Sequence, residues 1–582
     1  MFGSSRVHST NPRAPPVAGG AVAAGRGATP DPPGLGPYHG SVPSTVFSPA
    51  ALRHPDGSPA SPRELLLPAV TRLPRWWWVP LVLVTVLGGV LRFVGLASPH
   101  AVVFDETYYL KDAYSLLLHG TEQQWPSGAD EGFVSGAVPD VQDQPSFVVH
   151  PPLGKWLIAV GLWLFGPEDP FGWRFSAAVV GTLSIALIWW AGWLLFRSVS
   201  LATIAGLLTA LDGLHLVESR LALLDIFLMF FLLLAFVLAL LDRDDGRRRL
   251  AARLGGSPLG PWLGVRWWRI AAGAACGAAA AVKWNALFSI AALGILVVLW
   301  DMNARRVAGV RHWFTGAVLK DGPWGFLTVI GTGLVTYVLM WSGWLATSGG
   351  YDRTWAELNP GQGPQWLPPA LRSLWEYHVA AYSFHTGLDS HHTYMAGPAT
   401  WPFMLRPTSY YYESPGAGTD GCTVDACSQA ILNVGNPAVW WVGILAVLLG
   451  VWLWAGRRDW RFGALVGVCA AGYLPWFLYP ERTMFFFYAL SYFPAVALLI
   501  AGAVGVLTGR LAVPRHGATA GTPVAAAHEH RITGVWAQRW RAVTVCYLLL
   551  AVALAVFFWP VWTAQTIPYE HWRWRMWFRS WI

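Results

Sequence analysis

Residues 76–96 read WWWVPLVLVTVLGGVLRFVGL, twenty-one residues interrupted by a single charge, Arg92. About twenty consecutive apolar residues are what an α-helix needs to cross a bilayer. Runs of the same kind recur at about 172–196, 201–217, 221–241, 270–286, 287–302, 326–347, 438–456, 462–479, 484–507 and 543–560. Composition agrees with this reading. Charged residues make up 12% of the 582 and hydrophobic ones 54%, with 37 Trp. Soluble domains carry roughly 25% charged residues. A soluble enzyme, a nucleic-acid binder and, with only 5 Cys, a disulfide scaffold are excluded. The expected fold is an all-α polytopic membrane protein of about eleven transmembrane helices.

The basic residues orient it. Arg and Lys gather in 242–269, 303–322, 457–461 and 508–541, and cytoplasmic loops are enriched in these residues, so the N-terminus is expected inside and the C-terminus outside. The net charge of +8 then needs no nucleic-acid partner. The long polar stretches 97–171 and 348–437 fall outside. Residues 1–75, rich in Pro, Gly, Ala and Ser, read as a disordered cytoplasmic tail without a signal-peptide core, so no cleavage before the first span is expected. Residues 76–560 form the membrane domain. The tail 561–582 carries Trp572, Trp574, Trp577 and Trp581 beside Arg573, Arg575 and Arg579, a pattern for a segment lying in the interface. No internal repeat is visible. Cys422 and Cys427 share the second outer stretch, where a disulfide fits an extracytoplasmic compartment; two unpaired small residues is the plainer alternative.

Chemistry concentrates on the outer side. Val103-Phe104-Asp105-Glu106-Thr107-Tyr108-Tyr109 puts two adjacent carboxylates at the membrane boundary. They read either as a helix start, with Asp105 as N-cap and Glu106 in the first turn, or as a working acid–base pair, and the two are compatible. Polar groups at similar depth are Arg92, His150 and Lys155 in His-Pro-Pro-Leu-Gly-Lys, Arg174, Arg220 and Asp225 after Glu218, Lys283, Arg406 and Arg482. Any one of them can be a snorkelling cation or a structural ion pair. Together they look like an anion site facing an acid or base. His378, His385, His391 and His392 match no zinc signature, and no metal is assigned.

These motifs, in this order, resemble the protein O-mannosyltransferases, polytopic glycosyltransferases that use a polyprenyl-phosphate mannose donor. The resemblance spans most of the membrane region. It runs from Arg92, the Asp105-Glu106 pair and His150–Lys155 through Trp173-Arg174-Phe175, the Ser219–Asp225 run and Val282-Lys283-Trp284-Asn285. It ends with Trp401–Pro407 and its Tyr run, and with Arg575–Trp581. Eukaryotic members carry a β-trefoil domain in the second outer loop. About ninety residues there fit a bacterial, actinobacterial-type member. The resemblance implies a GT-C-type fold in the cell membrane and inverting transfer of mannose to Ser or Thr hydroxyls of proteins on the outer face. It implies acceptor polypeptides as partners, with the Sec translocon as a candidate one, and no cofactor besides the lipid-linked donor. A serine hydroxyl needs a base at neutral pH, and Asp105 is assigned that role, with Glu106 positioning acceptor or loop. Arg174, Lys283, Arg406 and Arg482 are the donor-phosphate candidates. Arg92, His150, Lys155, Arg220, Asp225 and His385 are supporting. The alternatives are a flippase for a lipid-linked sugar, or transfer to a lipid or glycan acceptor.

Overall fold

Helix starts follow local sequence closely. Asp169, Asn436 and Asp459 each accept a hydrogen bond from a backbone N–H in the first turn, and Pro170 and Pro437 supply the preset φ of a first helical residue. In the computed structural model, residues 60–67, 73–514, 522 and 529–582 are described. Among them, seven helices are long and apolar enough to cross a bilayer. They are Pro170–Phe196, Asp225–Arg253, Ala286–Val307, Trp313–Met340, Pro437–Arg457, Trp460–Leu478 and Gly534–Trp562. Trp78–Phe93, Leu153–Phe165, Val199–Ala210 and Phe493–Leu507 are shorter apolar helices. Every expected span has a helix at its place, but several bounds move. The run 201–217 breaks after Ala210, because Asp212 caps a separate short helix, Gly213–Glu218, by accepting from the His215 N–H. The run 484–507 breaks into a 3-10 turn, Phe486–Ser491, before Phe493–Leu507. The arginine-rich stretch 242–269 is helical as far as Arg253.

Small residues let helices close on one another. In Trp267–Ala280, a Cβ on Gly277 would lie 2.1 Å from the Gly333 carbonyl oxygen, so only glycine permits this crossing.

The two long polar stretches meet at one end of the bundle. The first holds a helix, Glu106–His119, and ends in the proline-started Leu153–Phe165. The second contributes the Pro369–Gly387 helix and a small sheet. In that sheet Ser409–Glu413 pairs antiparallel with Cys427–Leu432, which also pairs with Ile567–Pro568. Cys422 and Cys427 form a disulfide at its edge. This sheet, with a single antiparallel bridge between Gln123 and Pro145, departs from an all-helical architecture.

Residues 561–582, expected to lie in the interface, pack against the rest of the protein through one face. Trp572 and Trp581 are 7% and 1% exposed because the tail packs on the sheet and on residues 404–406, while Trp574 and Trp577 face outward. Most of the expected N-terminal tail, 1–59 and 68–72, lies outside the described residues. Within that range Pro62–Leu66 is a helix, started by a Ser61–Glu64 capping box, with Leu65 and Leu66 buried.

Candidate active site

Asp105 sits at the start of the Glu106–His119 helix, yet its side chain makes no capping bond. Its carboxylate is therefore not consumed by the helix start. Phe104, just before it, has φ +50°, a region that costs a non-glycine residue energy unless its surroundings hold it. The Phe104 ring is held by Tyr410 at 4.7 Å, Phe485 at 5.8 Å and His392 at 6.0 Å. Burial pushes the Asp105 carboxyl up to about 6; Lys283 opposes the shift, Asp225 adds to it, and a hydrogen bond from Tyr109 opposes it.

Glu106 does a different job. Fully buried, it accepts from Arg174 Nε (2.8 Å) and Nη2 (2.9 Å) and from the backbone N–H groups of Ala222 (2.8 Å) and Val103 (3.1 Å). Arg174 spends its remaining donors on the carbonyls of Leu96, Pro99 and Ala101. With all its N–H groups engaged, Arg174 has none for a phosphate, and the pair fixes the chain entering Phe104-Asp105.

Three supporting residues are likewise engaged locally, although Arg92 Nε is buried without a partner. Arg220 caps the first apolar helix, donating to the carbonyls of Leu91, Arg92, Val94 and Gly95. Arg92 donates to the Gly88 carbonyl and to His215 Nδ1 at 2.7 Å. Lys155 donates to Glu122 (2.6 Å) and to the His150 carbonyl (3.1 Å), fixing the His150 loop. Arg406 is also removed from the expected phosphate site: it bonds the carbonyl of Thr393 and the main-chain oxygens of Ser580 and Ile582.

What remains converges on a cavity of about 280 Å³ lined by His150, Lys283, Trp284, Leu287, Phe288, Tyr382, His385, Arg482 and Tyr488 among others. Lys283 donates to Asp225 at 2.5 Å from the turn after Trp267–Ala280. Arg482 Nη2 donates to His385 Nδ1 at 3.4 Å, while Arg482 Nη1 is buried without a partner. His385 in turn donates from Nε2 to the Val149 carbonyl at 2.9 Å, which makes it a neutral imidazole. It stacks on His150, whose Nδ1 is buried and unpartnered. Burial, with Lys283 next, holds His150 well below the usual imidazole range; burial also lowers His385. The cavity thus offers two cations and two imidazoles, and one of the cations, Lys283, acts by its charge on Asp105, which is not among the lining residues. Unsatisfied buried donors of this kind are costly unless a ligand accepts from them.

One group absent from the expected set belongs here. Glu218 is fully buried; its Oε1 accepts from Tyr410 (2.5 Å) and Asn433 (2.9 Å), and its Oε2 has no partner. A Glu closing an apolar run was its only sequence signal, and Asn433 had none. Of the four His considered for a metal, His378 bonds Tyr337, His385 bonds Val149, His392 packs on Phe104, and His391 is exposed. Among the described residues no three His, Cys, Asp or Glu side chains come together as a metal-ion site.

A family model described as dolichyl-phosphate-mannose-protein mannosyltransferase matches residues 141–335, and one described as the C-terminal four-span region of protein-O-mannosyltransferase matches 370–581. A polyprenol-phosphate-mannose–protein mannosyltransferase of Mycolicibacterium smegmatis (strain MKD8) is 34% identical over 526 residues, covering 87% of this chain and 93% of its own. Its namesake in Corynebacterium glutamicum is 31% identical over 532 residues, covering 88% and 94%. In fold, the chain is similar to the Saccharomyces cerevisiae protein O-mannosyltransferase Pmt1-Pmt2 complex bound to the sugar donor, with a TM-score of 0.65 at 14% identity over 89% of this chain and 94% of that one.

Proposed function

The chain belongs to the polyprenol-phosphate-mannose–protein mannosyltransferase family, and from that premise we propose how its residues divide the work of mannose transfer. The chain is a membrane glycosyltransferase. Its donor is a polyprenyl phosphate mannose and its acceptors are Ser and Thr hydroxyls of polypeptides, met on the extracytoplasmic face of the cell membrane as they leave the translocation machinery. The Arg-rich loops at the opposite end and the Cys422–Cys427 disulfide support that orientation.

In the reaction the acceptor oxygen attacks the anomeric carbon on the face opposite phosphate. Its O–H proton passes to the Asp105 carboxylate, and the electron pair of the breaking C–O bond goes to the phosphate oxygen. One displacement inverts the anomeric centre. The departing phosphate monoester gains charge as the bond breaks, so cations aimed at it bind the transition state better than the ground state. Arg482 and Lys283 are that pair, and His150 and His385 complete the polar wall without adding charge. The prenyl chain leaves past Leu287 and Phe288, the apolar side of the cavity. Glu106 and Arg174 hold the base in place.

The observation that carries this reading is the unpartnered Arg482 Nη1 in a cavity that Lys283 also lines, together with an Asp105 carboxylate that makes no capping bond and feels the Lys283 charge. Purified protein with labelled polyprenyl phosphate mannose and a Thr-rich peptide tests it. Label should move to the peptide and give the alkali-labile, inverted linkage, and it should stay on lipid when Asp105 is Asn. Label moving to a lipid or glycan alone would refute the acceptor assignment.

A further inference from the structure

Arg406 and the segment Ser580–Ile582 touch neither the cavity nor Asp105, yet they are joined with unusual density. Trp581 Nε1 donates to the Met404 carbonyl at 2.7 Å, and the Ser580 hydroxyl donates to the Leu405 carbonyl. Arg406 Nη1 donates back to the main-chain oxygens of Ser580 (2.5 Å) and Ile582 (2.8 Å). Trp581 is 1% exposed, packed with Trp577, Phe558 and Phe578. Met404, the residue gripped by the indole, has φ +54°, a second left-handed non-glycine residue that its surroundings must hold.

Two short routes lead from this knot to Phe104. Arg406 donates from Nε (3.2 Å) and Nη2 (2.8 Å) to the Thr393 carbonyl and covers the Tyr394 ring at 4.7 Å. The residue before Thr393 is His392, whose ring stands at 90° to Phe104. Along the other route, Arg406 lies four residues before Tyr410, the ring nearest Phe104. His392 and Tyr410 are thus the shelf under Phe104, and Phe104 is the strained residue that presents Asp105.

We propose that Ser580–Ile582 and Arg406 form a latch that positions Asp105 for proton transfer, acting through the His392 and Tyr410 shelf beneath Phe104. The residues are positioning residues, and the proposal rests on Asp105 being the base. A displacement of about 1 Å at a reacting group costs up to roughly a hundredfold in rate, so the latch has the leverage to matter from a distance.

The test measures kcat and KM for the labelled donor and the Thr-rich peptide in Arg406→Ala and Trp581→Phe, each also combined with Asp105→Asn. Trp581→Phe keeps an aromatic ring in the slot while removing the hydrogen bond to Met404 and part of the ring packing, so it serves if Arg406→Ala does not fold. Arg406→Ala should lower kcat roughly ten- to hundredfold with both KM values unchanged, and Trp581→Phe about two- to tenfold. Arg406→Lys should recover part of the rate. In the Asp105→Asn background neither change should lower the residual rate further, because both act through the same group. Equal losses in both backgrounds, a rise in KM in place of a fall in kcat, or a wild-type kcat in Trp581→Phe would overturn the latch. If Asp105→Asn alone keeps most of its rate, the base assignment fails and takes this proposal with it; a deep loss there beside undisturbed latch variants overturns the latch alone.

Discussion

The helix Asp225–Arg253 carries a buried ion cluster near each end, and the two are built differently. Asp242 is paired with Arg266 and Arg269, and both arginines also hold Asp301. Two positive and two negative groups face each other, and every N–H of Arg266 has an acceptor. Seventeen residues earlier, about 25 Å along the helix at 1.5 Å per residue, Asp225 binds one cation, Lys283. Around that pair, donors and acceptors are left over: Arg482 Nη1, His150 Nδ1 and Glu218 Oε2. A saturated cluster has nothing to offer a ligand and serves the fold. The cluster with unused donors bounds a cavity, the one proposed above to hold the donor phosphate. Burial and charge alone do not separate the two clusters; the hydrogen bonds made within each do, although Arg243 Nε and Arg247 Nη1, on the same helix near Asp242, also lack a partner.

The hardest test of that contrast is Asp105→Asn. The substitution preserves shape, removes no capping bond, and leaves an amide oxygen that can still accept from Tyr109. Expression and donor binding should stay near normal, while transfer falls by about 10²–10⁴-fold, the usual worth of a general base. Asp105→Glu should also be slow, because the added methylene misplaces the carboxylate. A variant Asn enzyme retaining most of its rate would reduce Asp105 to a helix start.

Next come two buried Arg–carboxylate pairs that ought to behave alike in stability and differently in catalysis. Asp301→Asn leaves Arg266 and Arg269 under-compensated, and Glu106→Gln does the same to Arg174. Breaking such a pair costs about 3–5 kcal/mol, visible as a lower midpoint of thermal unfolding in detergent. Transfer per folded molecule should be unchanged in Asp301→Asn. It should drop in Glu106→Gln, because the loop that carries Phe104 and Asp105 loses its anchor. Matching catalytic losses in both would show that the two ends are coupled, against the division drawn above.

Arg482→Ala probes the unsatisfied side directly. A charge-assisted hydrogen bond is worth about 1.5–3 kcal/mol, so donor use should weaken roughly ten- to hundredfold, with peptide KM little changed. Lys at this position should restore only part, lacking the planar fork that grips phosphate through two bonds. Arg406→Ala should differ in kind, a fall in kcat with donor KM intact. Identical kinetic signatures for the two would undo the separation of phosphate contact from latch.

Much of the fold was legible because hydropathy reports directly on bilayer-length helices, and Asp169-Pro170 and Asn436-Pro437 mark their starts. The breaks at Asp212 and at Phe486–Ser491 were not, since a single Asp-Gly interrupts the apolar run at the first and apolar residues continue through the second. The sheet at 409–432 was missed because the Tyr run read as loop, and its partner strand is distant. In the site, Asp105, Lys283, Arg482, His150, His385 and Asp225 come together as a cluster. Arg174, Arg220 and Arg406 do not join it, for a reason no composition reveals: their acceptors are largely main-chain carbonyls, which have no residue signature. A cation quenched by carbonyls and one left free read the same in sequence.

The smallest effect is the most diagnostic of Asp105's surroundings. A carboxyl raised to about 6, mainly by burial, is protonated over part of the range in which the enzyme can be assayed. Only the ionised form can accept the hydroxyl proton, so the rate follows the deprotonated fraction. It should be flat at pH 8, half at about pH 6, and about one-tenth at pH 5, whereas an ordinary Asp near 3.9 would show no such decline. One neighbour complicates the limb. Asp112 is pushed up to about 7, chiefly by burial and against the opposing charge of Lys155, which it approaches at 3.7 Å. Asp112 bears on Lys155 and hence on the His150 loop, so its titration can add a shallow alkaline shoulder. In Asp112→Asn the shoulder should vanish and the limb near 6 remain. A limb that moves to about 4 in wild type and variant alike would mean that the group losing its proton there is an exposed carboxylate, and Asp105 is not the base.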